Sequence, residues 1–266
     1  MAAQSKVKVL VLRTAGTNCN EETGFAFKHF GAEVDQVHIK RLVKKECFLN
    51  DYHIIAVPGG FSYGDDIASG RILANELRIS LAQDINRFIA DGKLMIGICN
   101  GFQILVKAGI LPGPLKSDAH QDVTLTLNDS AKFEARWVRL RTSGKSPWTQ
   151  GLEGVIHLPI AHGEGKFVVR DQGFLKRLDA NGQITLRYCD AEGNPGEYPV
   201  NPNGSTDDVA GICDSTGQIL GLMPHPERFF RFTQCPSWTR MEKTSEYGDG
   251  AKIFENGIRY VREQLL

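Results

Sequence analysis

The chain has 266 residues, of which 41% are hydrophobic and 23% charged, a composition that allows one substantial buried core or two small ones. Its 31 lysines and arginines balance its 31 aspartates and glutamates. The net charge therefore gives no basis for binding nucleic acid or an anionic membrane, and we expect a small-molecule ligand. The sequence shows no signal-peptide pattern and no apolar run near the roughly 18 residues of a membrane span, so we expect a cytoplasmic chain.

Strand and helix signals alternate through the first half of the chain. The predicted strands are 6–13, 33–39, 53–57 and the apolar segment before Cys99, and the predicted helices are 21–30, 77–91 and 100–108. Such alternation predicts an open, mostly parallel α/β sheet with helices on both faces. Further strand-like segments predict β-hairpins added in the second half, at 122–127, 133–141, 155–158, 184–188, 209–213 and 219–223. A helix over 250–266 completes a single predicted domain, 1–266.

Six cysteines lack the C-x-x-C spacing of zinc sites, so we expect free thiols of which at most one or two take part in chemistry. Cys99 is the strongest candidate, because an apolar strand precedes it and a helix follows it. Gly97 and Gly101 leave room for a sharp turn there, as in a nucleophile elbow. Ligands of an open parallel sheet bind at the carboxyl ends of its strands, where the amides of the next helix favour a thiolate. A free thiol is only about 3% ionised at pH 7, so a nucleophilic Cys99 also requires a nearby base or cation.

His225 and Glu227 provide a candidate base. Both come directly after the predicted strand 219–223, and prolines on each side restrict the backbone of His225. Glu227 points to the same side of an extended segment and can accept a hydrogen bond from one ring nitrogen. The other nitrogen then faces the thiol, which makes Cys99, His225 and Glu227 the predicted catalytic triad.

Gly59 and Gly60 follow the predicted strand 53–57 and let backbone N–H groups approach a ligand closely. We predict the Gly60 and Asn100 amides to form an oxyanion hole and Gly59 to contact the substrate. Residues 60–64 also match the G-x-S-x-G pattern of serine hydrolases. Ser62 does not follow its strand directly, however, and the residues after it are a poor helix start, so we favour Cys99.

Two other motif fragments are rejected because the residues around them do not complete the motif. The triplet 144–146 has the end of a phosphate-binding loop, but Arg139 stands where that loop requires its first glycine. His225 and Glu227 have the H-x-E spacing of a zinc deaminase, but the P-C-x-x-C partner is missing. The sequence therefore predicts neither a nucleotide site nor a metal site, and no cofactor on this chain.

Together these segments resemble class I glutamine amidotransferases. Residues 97–103 (GICNGFQ) and 224–227 (PHPE) carry the resemblance. Four flanking segments, 16–19, 58–65, 161–165 and 223–228, are similar to the glutaminase subunits of phosphoribosylformylglycinamidine synthases. The resemblance spans about residues 7–228 and implies a flavodoxin-like fold, whereas the segment 229–248 receives no role.

The resemblance also implies a reaction. Cys99, deprotonated by His225, would attack the side-chain amide of glutamine, Glu227 would orient His225, and water would release glutamate from a thioester. Gln103 and His162 would contact glutamine. The ammonia would pass to a separate large synthetase subunit that uses ATP and Mg²⁺, with a small bridging subunit in the complex.

Two other classes of function remain open. A stand-alone cysteine hydrolase or peptidase would act without glutamine and without a partner. A non-catalytic sensing module would use Cys99 structurally or as a redox group. The complete set of Cys99, His225 and Glu227 disfavours the module, and the segments around Gly64 and His162 disfavour the peptidase.

Overall fold

The computed structural model describes residues 6–113, 115, 121–143, 145–243 and 245–266, so Gly144 of the rejected phosphate-loop triplet lies outside it. The strands are β1 Lys8–Arg13, β2 Glu33–His38, β3 Ile54–Val57, β4 Leu94–Ile98, β5 Val123–Thr126, β6 Glu134–Thr142, β7 Val155–His162, β8 Lys166–Val169, β9 Ile184–Cys189, β10 Val209–Cys213 and β11 Ile219–Leu222. The helices are α1 Asn20–His29, α2 Ile39–Val43, α3 Arg71–Ser80, α4 Ala82–Ala90, α5 Asn100–Lys107, α6 Gln172–Ala180 and α7 Ala251–Gln264.

One large sheet organises the described residues. Its nine strands have the order β2-β1-β3-β4-β11-β10-β9-β6-β7. The five strands from β2 to β11 pair in parallel, and those from β11 to β7 pair antiparallel. A separate antiparallel pair joins β5 to β8. The predicted α/β fold with hairpins added in the second half is confirmed.

The centre of the sheet is apolar and fully buried. Every residue of β3, β4 and β11 is buried, as expected for parallel strands covered by other elements. Helix α5 packs against all three of these strands, and α1 packs against α7. A single hydrophobic cluster extends from Val7 to Val261 and includes Cys99. The Cys99 turn is therefore built into the core.

Some predicted elements differ from the structure. The single helix predicted over 77–91 is wrong, because α3 and α4 meet at Leu81, which is buried and leaves the helical region with φ −127° and ψ 8°. The short helix α2, the strand β8 and the helix α6 were not predicted. A signal for α6 is present, since the Asp171 side chain accepts a hydrogen bond from the Phe174 N–H at 2.7 Å as an N-cap.

The described part of the segment 229–248, which had no predicted role, packs against α1. Phe230 is buried and makes edge-to-face contacts with Phe25, His29 and Tyr247. These aromatic contacts attach the segment to the helix that begins beside the candidate site. Across the described residues, no helix is long and apolar enough to cross a membrane.

Candidate active site

Cys99 occupies a strained turn between β4 and α5. Its φ of 50° and ψ of −106° lie where residues with side chains are rarely found. A Cβ added to Gly101 would lie 1.8 Å from the Val57 carbonyl oxygen, and one added to Gly97 would lie 2.7 Å from that of Gly101. Both glycines are therefore sterically required for the turn. The cysteine is 6% exposed, and its thiol donates a weak hydrogen bond to the Ala161 carbonyl at 3.6 Å.

His225 reaches the same place because of the strand order. β11 pairs in parallel with β4, with Leu222 opposite Ile98, and the Cys99 N–H donates to the Leu222 carbonyl at 2.8 Å. The chain after β11 thus begins beside the cysteine turn. The His225 N–H donates to the Pro159 carbonyl of β7 at 2.8 Å, which fixes the segment from its other side.

His225 and Glu227 form a buried hydrogen-bonded pair. Nδ1 of His225 lies 2.6 Å from Oε1 of Glu227, and the two side chains are 2% and 0% exposed. Burial opposes the charged imidazole, but the Glu227 carboxylate, then Cys99 and Cys19, raise the pKa of His225 well above its ordinary value.

Nε2 of His225 has no well-aligned hydrogen-bond partner in the described residues. Cys99 is among the groups that raise the pKa of His225, so its thiol lies near the ring. In the absence of substrate, loose contacts between a nucleophile and its base are common, and they tighten when substrate binds. The ring can therefore exchange a proton with the thiol or with a leaving group bound there.

The two predicted oxyanion donors lie on the turns after β3 and β4. Gly60 has φ 147°, and a Cβ added to it would lie 2.6 Å from the Gly16 carbonyl oxygen, so the close approach of the β1 turn requires glycine. In the described part of the chain, neither the Gly60 nor the Asn100 amide donates to a backbone carbonyl. Both N–H groups are thus left for a ligand, as an oxyanion hole needs.

The side chain of Asn100 links the two turns. Its Oδ1 accepts hydrogen bonds from the Ser62 N–H at 3.1 Å and the Ser62 hydroxyl at 2.6 Å. Its Nδ2 donates to Gln103 Oε1 at 3.0 Å, and Gln103 Nε2 donates to the Glu164 carbonyl at 2.6 Å. Gln103 is 3% exposed. Its amide is therefore already used at both ends to brace the site, and its contact with substrate stays a prediction.

His162 is a neutral, buried neighbour of His225. The Asn128 amide nitrogen donates to the Lys132 and His162 carbonyls, so Asn128 Oδ1 must be the acceptor for His162 Nδ1 at 3.1 Å. Nδ1 thus carries the proton, and Nε2 is an acceptor with no partner among the described residues. Burial, followed by the charge of His225, lowers the pKa of His162 to about 4.

Two residues at the site had no assigned role from sequence. Cys19, at the start of α1, is fully buried with its sulfur 4.0 Å from His225 Nδ1. Arg228 Nη2 donates to that sulfur at 3.1 Å. Gly59 packs against both Cys19 and His225, because a Cβ added to it would be 2.8 Å from His225 Cε1 and 3.1 Å from Cys19 Sγ. The position of Cys19 after β1, at the same end of the sheet, was the available signal.

Donor atoms of Cys19, His225 and Glu227 lie within 4.8 Å of one another. The hydrogen bond between His225 and Glu227 and the guanidinium of Arg228 already occupy these atoms. A cation placed there would also face the positive charge of Arg228. The cluster is therefore a hydrogen-bonded group of the candidate site.

Comparisons with known proteins match this geometry to a family. Residues 6–261 match the model of the CobB/CobQ-like glutamine amidotransferase domain. The chain is 48% identical to the phosphoribosylformylglycinamidine synthase subunit PurQ of Dehalococcoides mccartyi, over 97% of this chain and 99% of that protein. It is 43% identical to PurQ of Methanococcus maripaludis, over 95% and 97% of the two chains. The chain belongs to the PurQ family of glutamine amidotransferases.

One solved structure agrees with this membership in the PurQ family, and a second shows the same fold. A chain in the structure of PurLQS from Thermotoga maritima superposes with a TM-score of 0.71 at 32% identity, covering 97% of this chain and 100% of that one. A glutamine amidotransferase from the same organism superposes with a TM-score of 0.55 at 14% identity, covering 98% and 99% of the two chains, and shows the shared fold alone.

Proposed function

We propose that this chain is the glutaminase subunit of a phosphoribosylformylglycinamidine synthase and that it hydrolyses glutamine to glutamate and ammonia. The observation that carries the proposal is the strained Cys99 turn on β4, placed beside the His225–Glu227 pair that follows the adjacent strand β11. In a chain of the PurQ family, this arrangement supplies the nucleophile, base and orienting carboxylate that thioester chemistry requires.

The first half of the reaction forms the thioester. His225 takes the proton of Cys99, and the sulfur attacks the amide carbon of glutamine. The oxyanion of the tetrahedral intermediate is bound by the Gly60 and Asn100 amides. His225 then donates the proton to the amide nitrogen, ammonia leaves, and the glutamyl thioester remains on Cys99.

The second half consumes water. Water attacks the thioester carbon while His225 accepts its proton, glutamate leaves, and the proton returns to Cys99. Nε2 of His162 is a buried neutral acceptor in this environment. It can accept a hydrogen bond from a neutral N–H group, and we propose that this group belongs to the glutamine amide or to the released ammonia. Gly59 and Gln103 complete the predicted glutamine contacts.

The ammonia is used on another subunit. The complex in the Thermotoga maritima structure is named PurLQS, and the sequence of this chain lacks a complete phosphate-binding loop. We therefore place ATP, Mg²⁺ and synthesis of the amidine on a PurL-type synthetase subunit, with a PurS-type subunit bridging the two, in the cytoplasm. Exposed Phe61 and Phe133 adjoin the turns that contain Gly60 and Asn128, and are available to a partner there.

The deciding experiment separates ammonia production from ammonia use. We expect Cys99→Ala to abolish glutaminase activity of the complex reconstituted with its synthetase subunit, while synthesis supported by added ammonium salt continues at the wild-type rate. The assay measures glutamate release and formylglycinamidine ribonucleotide formation side by side.

A matched control is Cys213→Ala, which removes a buried thiol from β10 and leaves the site intact. This control is expected to retain both activities. Loss of both activities in Cys99→Ala would reject the transfer of ammonia between subunits. Hydrolysis of peptides or esters without glutamine, in the absence of a partner, would favour the stand-alone hydrolase instead.

A further inference from the structure

The base of the candidate triad has a second sulfur beside it. Cys19 is 0% exposed, and its Sγ lies 4.0 Å from Nδ1 of His225, the same nitrogen that hydrogen-bonds Glu227. Cys19 belongs to the turn between β1 and α1, whereas Cys99 belongs to the turn between β4 and α5. Two cysteines from different parts of the sequence thus converge on one imidazole.

Arg228 completes a ring of four polar side chains. Its Nη2 donates to Cys19 Sγ at 3.1 Å, and its Nε lies 4.0 Å from Glu227 Oε1. His225 in turn contacts Glu227 at 2.6 Å and Cys19 at 4.0 Å. Around the ring, the donors Arg228 and His225 alternate with the acceptors Cys19 and Glu227, so each group has an attractive neighbour on both sides.

Packing leaves this ring little freedom. Gly59 packs against both Cys19 and His225, since a Cβ there would lie within 3.1 Å of both side chains. The carbonyl of Gly59 accepts the N–H of Cys19 at 3.2 Å, which fixes the turn that carries the sulfur. The imidazole therefore cannot tilt away from Glu227 without moving against Cys19 or the backbone of Gly59.

We propose that Cys19, anchored by Arg228, is a positioning residue that keeps the His225 imidazole aligned between Glu227 and Cys99. Cys19 does not touch the reacting atoms in this scheme; it acts through His225. The expected change in kcat rests on the proposed glutaminase function, whereas the expected effect on the protonation of His225 does not. A cysteine that only fills space would not change the proton affinity of the ring.

The experiment combines kinetics with a direct titration of the histidine. Cys19→Ala, Cys19→Ser and the control Cys213→Ala are compared in the complex with the synthetase subunit. We expect Cys19→Ala to lower kcat for glutamine hydrolysis by about tenfold and to change KM by less than about twofold, since one interaction with a charged ring is lost. Cys19→Ser keeps a polar acceptor at the position and should recover most of kcat.

The titration uses the isolated chain and needs no activity. The ring nitrogens of His225 are followed by NMR of ¹⁵N-histidine-labelled protein and assigned with His225→Gln. Cys99, Cys19, Glu227, Arg228 and His162 all face or adjoin this ring, so each variant is compared with wild type over the same pH range. The midpoint of His225 should fall in Cys19→Ala, because the sulfur no longer favours the protonated ring, and should stay unchanged in Cys213→Ala.

These outcomes decide the proposal. An unchanged His225 midpoint in Cys19→Ala overturns it, even if kcat falls, because a loss of packing alone would then explain the kinetics. If Cys19→Ala does not fold, Cys19→Val replaces it, since valine nearly keeps the volume of the buried side chain without a polar atom, and the midpoint and kcat should fall as in Cys19→Ala. A wild-type complex without glutaminase activity would reject the proposed function, and the titration would still decide the role of Cys19.

Discussion

The parallel and antiparallel halves of the sheet each bring one buried histidine to the site, and the surroundings of the two are opposite. His225 follows β11 and faces the Glu227 carboxylate, which keeps the pKa of the ring well above its ordinary value despite burial. His162 ends β7 and hydrogen-bonds the neutral amide of Asn128, so burial lowers its pKa to about 4. Two identical side chains at similar depth thus differ because one has an anionic neighbour and the other does not.

This difference gives the two histidines different chemistry. A ring whose neighbours stabilise its charge can accept and return a proton, as a general base must. A ring that stays neutral with Nδ1 protonated can only accept a hydrogen bond at Nε2. We therefore expect the parallel half to supply the proton carrier and the antiparallel half to supply a fixed acceptor.

The largest expected effect comes from matched substitutions of the two histidines, which test their separate roles. His225→Gln should lower kcat for glutamine hydrolysis by at least about 10³-fold, because glutamine cannot carry the proton. His162→Gln should cost only about tenfold and mainly raise KM, because the amide can still make neutral hydrogen bonds. Steady-state glutamate release by the reconstituted complex measures both. Equal losses of kcat in the two variants would contradict the assignment of separate roles.

The same comparison explains how much the sequence could predict. The Cys99 turn was predicted because its cause is local: Gly97 and Gly101 are required by contacts within a few residues and with the adjacent strand β3. His225 and Glu227 were also placed together by their separation of two residues. The close approach of the backbone at Gly60 was predicted from the position of this glycine after the strand 53–57.

Long-range contacts account for what was missed. Cys19 reaches His225 across 206 positions of sequence, and only the order of β1, β3, β4 and β11 in the sheet brings the two together. The break between α3 and α4 likewise falls at the buried Leu81, and periodicity within the helix does not report it. The engaged amide of Gln103 depends on the loop after β7. Sequence motifs thus predicted the candidate reacting groups, whereas the contacts that support those groups required the fold.

A second prediction compares glycines from the two halves. Gly101→Ala would place a methyl group 1.8 Å from the Val57 carbonyl, so we expect a loss of stability beyond the usual range of about 1–3 kcal/mol for overpacking. Gly163→Ala, after β7, would meet only a phenylalanine ring carbon at 4.0 Å and should change the free energy of unfolding by less than about 0.5 kcal/mol. Urea denaturation measures both. A stable Gly101→Ala variant would show that the Cys99 turn can relax.

The smallest effect concerns the pH dependence of stability. The pKa of His162 is about 4 in the folded chain and near 6.5 in the unfolded chain, so the unfolded state binds more protons between these values and stability falls as pH falls. Between pH 7 and pH 5, His162 should account for about 2 kcal/mol of this loss. The contribution of His225 to the pH dependence of stability has the opposite sign: its raised pKa stabilises the fold below about pH 6.5, and that contribution is lost as pH rises through the folded value.

His162→Gln should remove about 2 kcal/mol of the decrease in unfolding free energy measured by urea titration from pH 7 to pH 5. A decrease identical to that of wild type would mean that folding does not lower the pKa of His162, so that the ring of the folded chain would be charged at pH 5.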